Sequence, residues 1–185
     1  MAFLVLPDNQ PPFNEQSPGS RGLIGIPVLL AFETFVWRAD KSFEIGIKSS
    51  QKSAPHAVLC FDGNRPVVQV AYDKQPLAFV LDTGATNTDL YPPFASVFPE
   101  LIRSATKTDS YKMEGVGGAK YMEAATLESL KFSIGGFPVT LKSVGVLLKP
   151  TTNASRFFAG NLGIDLLQQA HKTTFDFRTM TLRLQ

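Results

Sequence analysis

The stretch from Phe79 to Ala85 constrains the fold of this chain more than any other. Three apolar residues, Phe79 to Leu81, form a strand-like run that leads directly into Asp82, Thr83 and Gly84. Gly84 tolerates a positive φ and lets a second backbone approach closely, so the triplet suits a sharp turn. The sequence therefore predicts a carboxylate at the end of a buried strand, with neighbours too small to cover it.

An Asp-Thr-Gly triplet on its own is also a common turn, because Asp often precedes Gly where a chain reverses. The surroundings favour a functional interpretation here. An apolar strand runs into the triplet, Ala85 and Thr86 follow it, and Thr88 to Tyr91 form a second strand-like run. We therefore treat Asp82 as the first candidate for a reactive group.

Composition excludes several function classes. The chain has 185 residues, of which 44% are hydrophobic and 18% charged, as in a globular domain. The net charge is +2 without a basic stripe, so no nucleic-acid partner is expected. The two His and one Cys are far apart in sequence, so neither a metal nor another cofactor is expected. No apolar run is long enough to predict a membrane span, and the compartment stays open.

Cys60 is the only cysteine, so it has no partner for an intramolecular disulfide. It lies in the apolar run Ala57 to Phe61. We expect a buried and unreactive thiol, because a free cysteine in an apolar strand behaves as a small hydrophobic residue.

The chain is predicted to be mainly β, because short apolar runs alternate with Gly, Pro, Asn and Asp turns. The predicted strands cover 35–37, 43–45, 58–61, 67–72, 77–81, 106–116, 119–127, 130–134, 139–141, 174–177 and 182–184. Short helices are predicted after Pro27, over 94–101 and near Asp165.

The sequence also contains an internal repeat. Residues 22–29 align with 160–167, 35–38 with 175–178, and 43–45 with 182–184 after one residue of slippage. Only the second copy has an Asp-Thr-Gly strand upstream. We therefore expect residues 1–50 to be the tail of a preceding lobe plus a linker, and residues 51–185 to be one lobe. The alternative is an N-terminal extension whose pattern is coincidental.

Taken together, these features resemble the retropepsin-like aspartic proteases, and bacterial two-lobed members in particular. Leu81 to Ala85 match the catalytic loop of that family, and 162–167 resemble the apolar-Gly step that packs beside the loop. The glycine-rich tip of the flap hairpin is matched by Glu114, Gly115, Val116, Gly117 and Gly118. The resemblance implies a closed, retropepsin-like β-barrel lobe with a short C-terminal helix.

The resemblance implies an aspartic endopeptidase. Asp82, Thr83 and Gly84 would be the catalytic loop, and Ala85 with the flap residues 114–118 would bind a polypeptide substrate. In this chemistry two adjacent carboxylates share a proton: the ionised one activates a water, and the protonated one binds the scissile carbonyl. Thr83 would hydrogen-bond across the lobe interface.

One lobe supplies only Asp82, since the chain has no second Asp-Thr-Gly or Asp-Ser-Gly. A monomer is therefore expected to be inactive. The second aspartate would come from a preceding lobe in the same chain or from a second copy by two-fold pairing. The alternative function is a catalytically silent retropepsin-like module for binding or dimerisation, because fold alone does not imply turnover.

Three further acids have other expected roles. Asp165 is interpreted as structural, near a helix start where a carboxylate suits the dipole. Asp89 is interpreted as a turn or surface residue. Glu114 is interpreted equally as a substrate contact or as a solvated charge. Substrate preference and pH optimum are not indicated by the sequence.

Overall fold

The structure is a computed structural model that describes residues 24–46, 56–115 and 118–185. Several sequence predictions lie outside these residues: the apolar run and loop before residue 24, the linker over 47–55, and the flap tip at Val116 and Gly117.

The described residues form a mainly β structure, as predicted, with twelve strands and five short helices. The strands are β1 (Thr34–Arg38), β2 (Phe43–Ile45), β3 (Ala57–Asp62), β4 (Arg65–Tyr72), β5 (Gln75–Leu81), β6 (Asp89–Leu90), β7 (Thr106–Gly115), β8 (Gly118–Ile134), β9 (Phe137–Leu147), β10 (Gly160–Leu162), β11 (Lys172–Asp176) and β12 (Thr181–Leu184). The helices are α1 (Ile26–Ala31), α2 (Pro92–Val97), α3 (Pro99–Arg103), α4 (Ala154–Phe157) and α5 (Ile164–Leu167). Pro residues stand at the first turns of α1, α2 and α3, where the missing N–H costs no hydrogen bond.

The strands are hydrogen-bonded in the order β2-β1-β11-β12-β3-β4-β5-β10-β6-β9-β8-β7. In addition, β4 pairs with β8 at one position, Ala71 opposite Ser133. This contact connects six strands, β4 to β8 by way of β5, β10, β6 and β9, into a ring of neighbours. Because it is a single residue pair, the closed barrel stays a prediction.

The core lies between these strands and is almost entirely apolar. Its largest fully buried side chains are Phe79, Phe94, Leu59, Leu90, Leu130, Ile134, Leu147, Leu162, Leu166, Leu167, Leu182 and Val68. They come from all six strands of the ring, from β3 and β12, and from α2 and α5. The strand that carries Asp82 is therefore held on both sides by packed neighbours, which fixes the position of its C-terminal end.

Three sequence predictions are corrected by the structure. Cys60 is exposed, because β3 buries alternate residues only and Leu59 takes the inward position. The predicted strands at 119–127 and 130–134 form one long strand, β8, which runs on through Glu128 and Ser129. The helix predicted over 94–101 is divided into α2 and α3 at Phe98.

The N-terminal hairpin joins the sheet of the main body. β1 pairs with β2 and, on its other side, antiparallel with β11, from Thr34 opposite Asp176 to Arg38 opposite Lys172. Strand β11 is therefore bordered by β1 on one side and by β12 on the other.

Candidate active site

Asp82 lies at the end of β5, where the chain turns through Thr83 and Gly84. The Asp82 N–H donates to the carbonyl of Leu162 (2.9 Å), and the Ala85 N–H donates to the Asp82 carbonyl (3.0 Å). The Gly84 N–H donates to Oδ1 of Asp82 (2.9 Å). The backbone of Asp82 is thus fixed on both sides, while its side chain is exposed to solvent. The carboxylate is held in one orientation and is open to a partner.

β10 and the start of α5 pack against the loop that carries Asp82. β10 runs parallel to β5, and the Ile164 N–H donates to the carbonyl of Ala85 (2.8 Å). Gly163 permits this approach, since a Cβ there would lie 2.6 Å from the carbonyl of Asn87. The apolar-Gly step recognised in the sequence therefore packs directly beside the Asp-Thr-Gly loop.

Thr88 and Asp165 connect the end of the loop to α5. Oδ2 of Asp165 accepts from the Thr88 N–H (2.8 Å), and Oδ1 accepts from the Thr88 hydroxyl (2.7 Å). The same hydroxyl accepts from the Gly163 N–H (3.1 Å). Asp165 is therefore a structural residue, as predicted. From the sequence, Thr88 is predicted only as part of a strand-like run, and its position between Asn87 and Asp89 is a weak signal for this structural role.

Asp89 is not the turn or surface residue that the sequence predicted. It lies half-buried on β6, and its Oδ1 accepts a 2.5 Å hydrogen bond from the hydroxyl of Tyr111 on β7. Burial raises the pKa of the Asp89 carboxyl, the bond from Tyr111 opposes the rise, and the charge of Asp165 adds to it. This bond joins β6, the strand after the Asp82 loop, to β7, the first strand of the β7–β8 hairpin.

A small apolar cluster lies beside this bond. Its buried members are Tyr91, Ala124 and Leu147, and Tyr111, Met113, Met122 and Phe158 pack against them. Burial, together with the charges of Asp89 and Asp82, raises the pKa of Tyr91 to about 12. Tyr91 is thus a neutral phenol at neutral pH, in the electrostatic field of both carboxylates.

The predicted flap corresponds to the hairpin of β7 and β8. Its backbone pairing reaches Glu114 opposite Ala119 and Gly115 opposite Gly118. The register shifts between Thr108 and Tyr111, which is typical of a β-bulge and bends a hairpin. In the sheet, β9 lies between this hairpin and β6, and the hydrogen bond from Tyr111 to Asp89 connects β7 to β6 directly.

Thr83 is exposed to solvent and also lines a cavity beside the N-terminal segment. A small apolar cavity of about 30 Å³ lies between α1, β1 and the main body, lined by Ile26, Leu29, Phe35, Pro66, Leu81, Thr83, Phe175 and Phe177. The loop that carries Asp82 is therefore adjacent to the segment whose sequence repeats residues 162–184.

Two negative observations apply to the described residues only. In 24–46, 56–115 and 118–185, no group of three His, Cys, Asp or Glu side chains is placed to hold a metal ion. Within the same ranges, no helix has both the length and the hydropathy to cross a membrane.

Comparison with solved structures found two proteases among the similar proteins. A retropepsin-like aspartic protease from Rickettsia conorii is 17% identical, and the match covers 68% of this chain and 86% of that one with a TM-score of 0.47. The EIAV protease complexed with the inhibitor HBY-793 is 20% identical, over 66% of this chain and 93% of that one, with a TM-score of 0.38. No protein-family model matches the sequence, and neither does any curated protein.

Proposed function

We propose that this chain is a lobe of an aspartic endopeptidase, with Asp82 as one of its two catalytic carboxylates. The observation that carries the proposal is the geometry of Asp82: its backbone is fixed by Leu162 and Ala85, its Oδ1 is oriented by the Gly84 N–H, and its side chain is exposed. An exposed but rigidly held carboxylate at the end of a buried strand is suited to meet a second one.

The proposed reaction is the addition of water across a peptide bond. Two carboxylates about one hydrogen bond apart share one proton and titrate as a pair. The ionised partner removes a proton from the water as it attacks the carbonyl carbon, and the protonated partner hydrogen-bonds the carbonyl oxygen. Proton transfer to the amide nitrogen then lets the C–N bond break. Asp82 fills one of the two positions.

The other residues of the loop have supporting roles in this proposal. Gly84 orients Asp82 through its N–H, and a Cβ at this position would lie 3.2 Å from Oδ1 of Asp82. Thr83 would donate a hydrogen bond to the partner loop, and Ala85 would leave room for substrate. The hairpin of β7 and β8, with its tip at residues 114–118, would close over an extended peptide and add strand-like hydrogen bonds.

The test is cleavage of a peptide library by two forms of the protein. One is the 185-residue chain over a concentration series, where any activity that needs two copies rises more steeply than the concentration. The other is a tandem chain, in which a copy of residues 56–161 is joined directly before residue 24, so that one polypeptide carries two Asp-Thr-Gly loops. A peptide with a central hydroxyl that mimics the transition state should inhibit whichever form is active.

Asp82→Asn, introduced in every copy, is expected to abolish the cleavage, whereas Asp62→Asn at an exposed position of β3 should leave it unchanged. Cleavage that persists in Asp82→Asn would show that the mechanism is wrong. If neither form cleaves any peptide while both are folded, the chain is instead a silent binding or dimerisation module.

A further inference from the structure

The two copies of the internal repeat have the same local structure but very different surroundings. In the first copy, α1 leads into the hairpin of β1 and β2; in the second, α5 leads into the hairpin of β11 and β12. The second copy packs into the core of the lobe, which contains Leu166, Leu167 and Leu182. The first copy contributes no fully buried residue from α1.

The first copy has an apolar face that nothing in the described residues covers. Of the nine large hydrophobic side chains that are exposed in the described ranges, five lie within residues 24–46: Ile24, Leu30, Phe32, Phe43 and Ile45. Four of these, between 40% and 61% exposed, occupy repeat positions whose second-copy counterparts are at most 8% exposed: Leu162, Ala170, Leu182 and Leu184. The fifth, Leu30, aligns with Gln168, which is also exposed. We call Ile24, Phe32, Phe43 and Ile45 the uncovered face.

The residues that bury the second-copy counterparts indicate which kind of partner would fit the uncovered face. In the second copy these positions belong to the core cluster, and most of the buried members of this cluster come from residues 57–159. Removing a Phe or Ile side chain from water stabilises a protein, in proportion to the apolar area that is buried. Four apolar side chains that the described residues leave uncovered at the same repeat positions therefore indicate a surface that fits a second lobe body of the same kind.

The contact between the two repeat units also restricts where a second molecule of this protein could bind. Phe35 of β1 lies opposite Phe175 of β11, with ring centroids 5.6 Å apart, and these two residues are equivalent in the repeat. Equivalent residues face each other only near a two-fold axis. β1 thus occupies the edge of β11 that a two-fold partner strand would use, and a second copy could reach this edge only by displacing β1.

We infer that residues 24–46 are the closing segment of a preceding lobe in the same polypeptide, and that the body of this lobe covers the uncovered face. The shared sheet β2-β1-β11-β12 is then the interface between two lobes of one chain. The role of the preceding lobe as the source of the second aspartate rests on the proposed function, whereas the surface stands on burial and pairing alone.

The first experiment tests whether β1 pairs with β11 of its own chain. In a Cys60→Ser background, Val36→Cys and Thr174→Cys place two cysteines directly opposite each other, within the Cα distance that a disulfide spans. Oxidation over a wide concentration range is expected to give a bridge within one chain on a non-reducing gel. Bands of twice the chain mass at all concentrations would overturn the inference, because β1 would then belong to the partner's sheet.

Two further cysteine pairs serve as a negative control and as an alternative for this experiment. Val36→Cys with Lys172→Cys is the matched control, since Lys172 is offset by two positions and too distant to bridge. Arg38→Cys with Lys172→Cys tests the same pairing at its half-buried end, should the Val36 pair prevent folding.

The second experiment identifies what covers the face, using the tandem chain with residues 56–161 before residue 24. Trp37 is the only tryptophan and lies on β1, so its emission reports on this region. In the tandem, its emission should shift to shorter wavelength. Phe43→Lys should raise the unfolding equilibrium constant roughly tenfold or more there, because it buries a charge, and should have little effect in the 185-residue chain. Phe157→Lys, exposed on α4, is the control and should affect neither form.

A tandem in which Trp37 emission and the Phe43→Lys response match those of the 185-residue chain would overturn the inference, as would a tandem that aggregates while the shorter chain stays soluble. A tandem that shows both changes but cleaves nothing would leave the interface in place and remove the catalytic proposal. The two failures are therefore distinguishable.

Discussion

The two helix–hairpin units of this chain, residues 24–46 and 162–184, show that a similar sequence pattern can form the same local structure with different energetic support. Both begin with a Gly N-cap, at Gly25 and Gly163, continue through a short helix, and end in an antiparallel hairpin. The second unit is packed against a complete core, whereas the first rests mainly on its pairing with β11. Local pattern therefore determines the elements, and tertiary packing determines what each element contributes to stability.

Core truncation at equivalent positions should give the largest difference between the units. Leu182→Ala removes a fully buried side chain and is expected to lower the free energy of unfolding by about 3 kcal/mol. Phe43→Ala, at the equivalent position, should cost about 1 kcal/mol or less, since more than half of the residue is exposed and its ring contacts that of Phe35. Urea denaturation measures both values. Equal costs would contradict the comparison and show that the face around Phe43 is covered in solution.

The two N-cap glycines form the next matched pair. A Cβ at Gly163 would lie 2.6 Å from backbone atoms of Asn87, so Gly163→Ala should cost about 2 kcal/mol by forcing the Asp82 loop away from α5. A Cβ at Gly25 would meet only Pro27, at an ordinary 3.6 Å. Since both glycines cap a helix, the change in capping is common to both variants. Thermal melts of Gly163→Ala and Gly25→Ala that coincide would refute the close approach at Gly163.

This difference also shows what could be predicted from the sequence. The strand into Asp82, the hairpins and the repeat were recognisable because they depend on short-range patterns, and the Gly163 step was recognisable from its family resemblance. The side that each strand buries was harder to predict, as Cys60 shows: an apolar run does not indicate which alternate positions face the core. The bond between Asp89 and Tyr111 had no local signal, because it joins residues on strands that meet only through the fold.

The hydrogen bonds from Thr88 to Asp165 have no equivalent in the first unit, because the repeat position of Asp165 is Pro27 there. Thr88→Val keeps the side-chain shape but removes the hydroxyl that donates to Asp165 and accepts from Gly163. We expect a loss of about 1.5 kcal/mol in the free energy of unfolding. Thr88→Ser is the control, because it keeps the hydroxyl and should cost much less. If urea denaturation gives the same midpoint for both variants, the hydroxyl does not support the loop.

The smallest expected effect is a pH dependence of stability that comes from Asp89, which pairs with β10 beside the second unit. Because burial raises its pKa, the folded state binds more protons than the unfolded state between the ordinary value of 3.8 and the raised value. The free energy of unfolding therefore falls as the pH rises through this window. Asp89→Asn keeps an oxygen that accepts from Tyr111 but carries no charge, so its melting temperature relative to the wild type should increase from low to neutral pH. A relative melting temperature of Asp89→Asn that stays constant or decreases with pH would mean that the Tyr111 bond, rather than burial, dominates at this carboxylate.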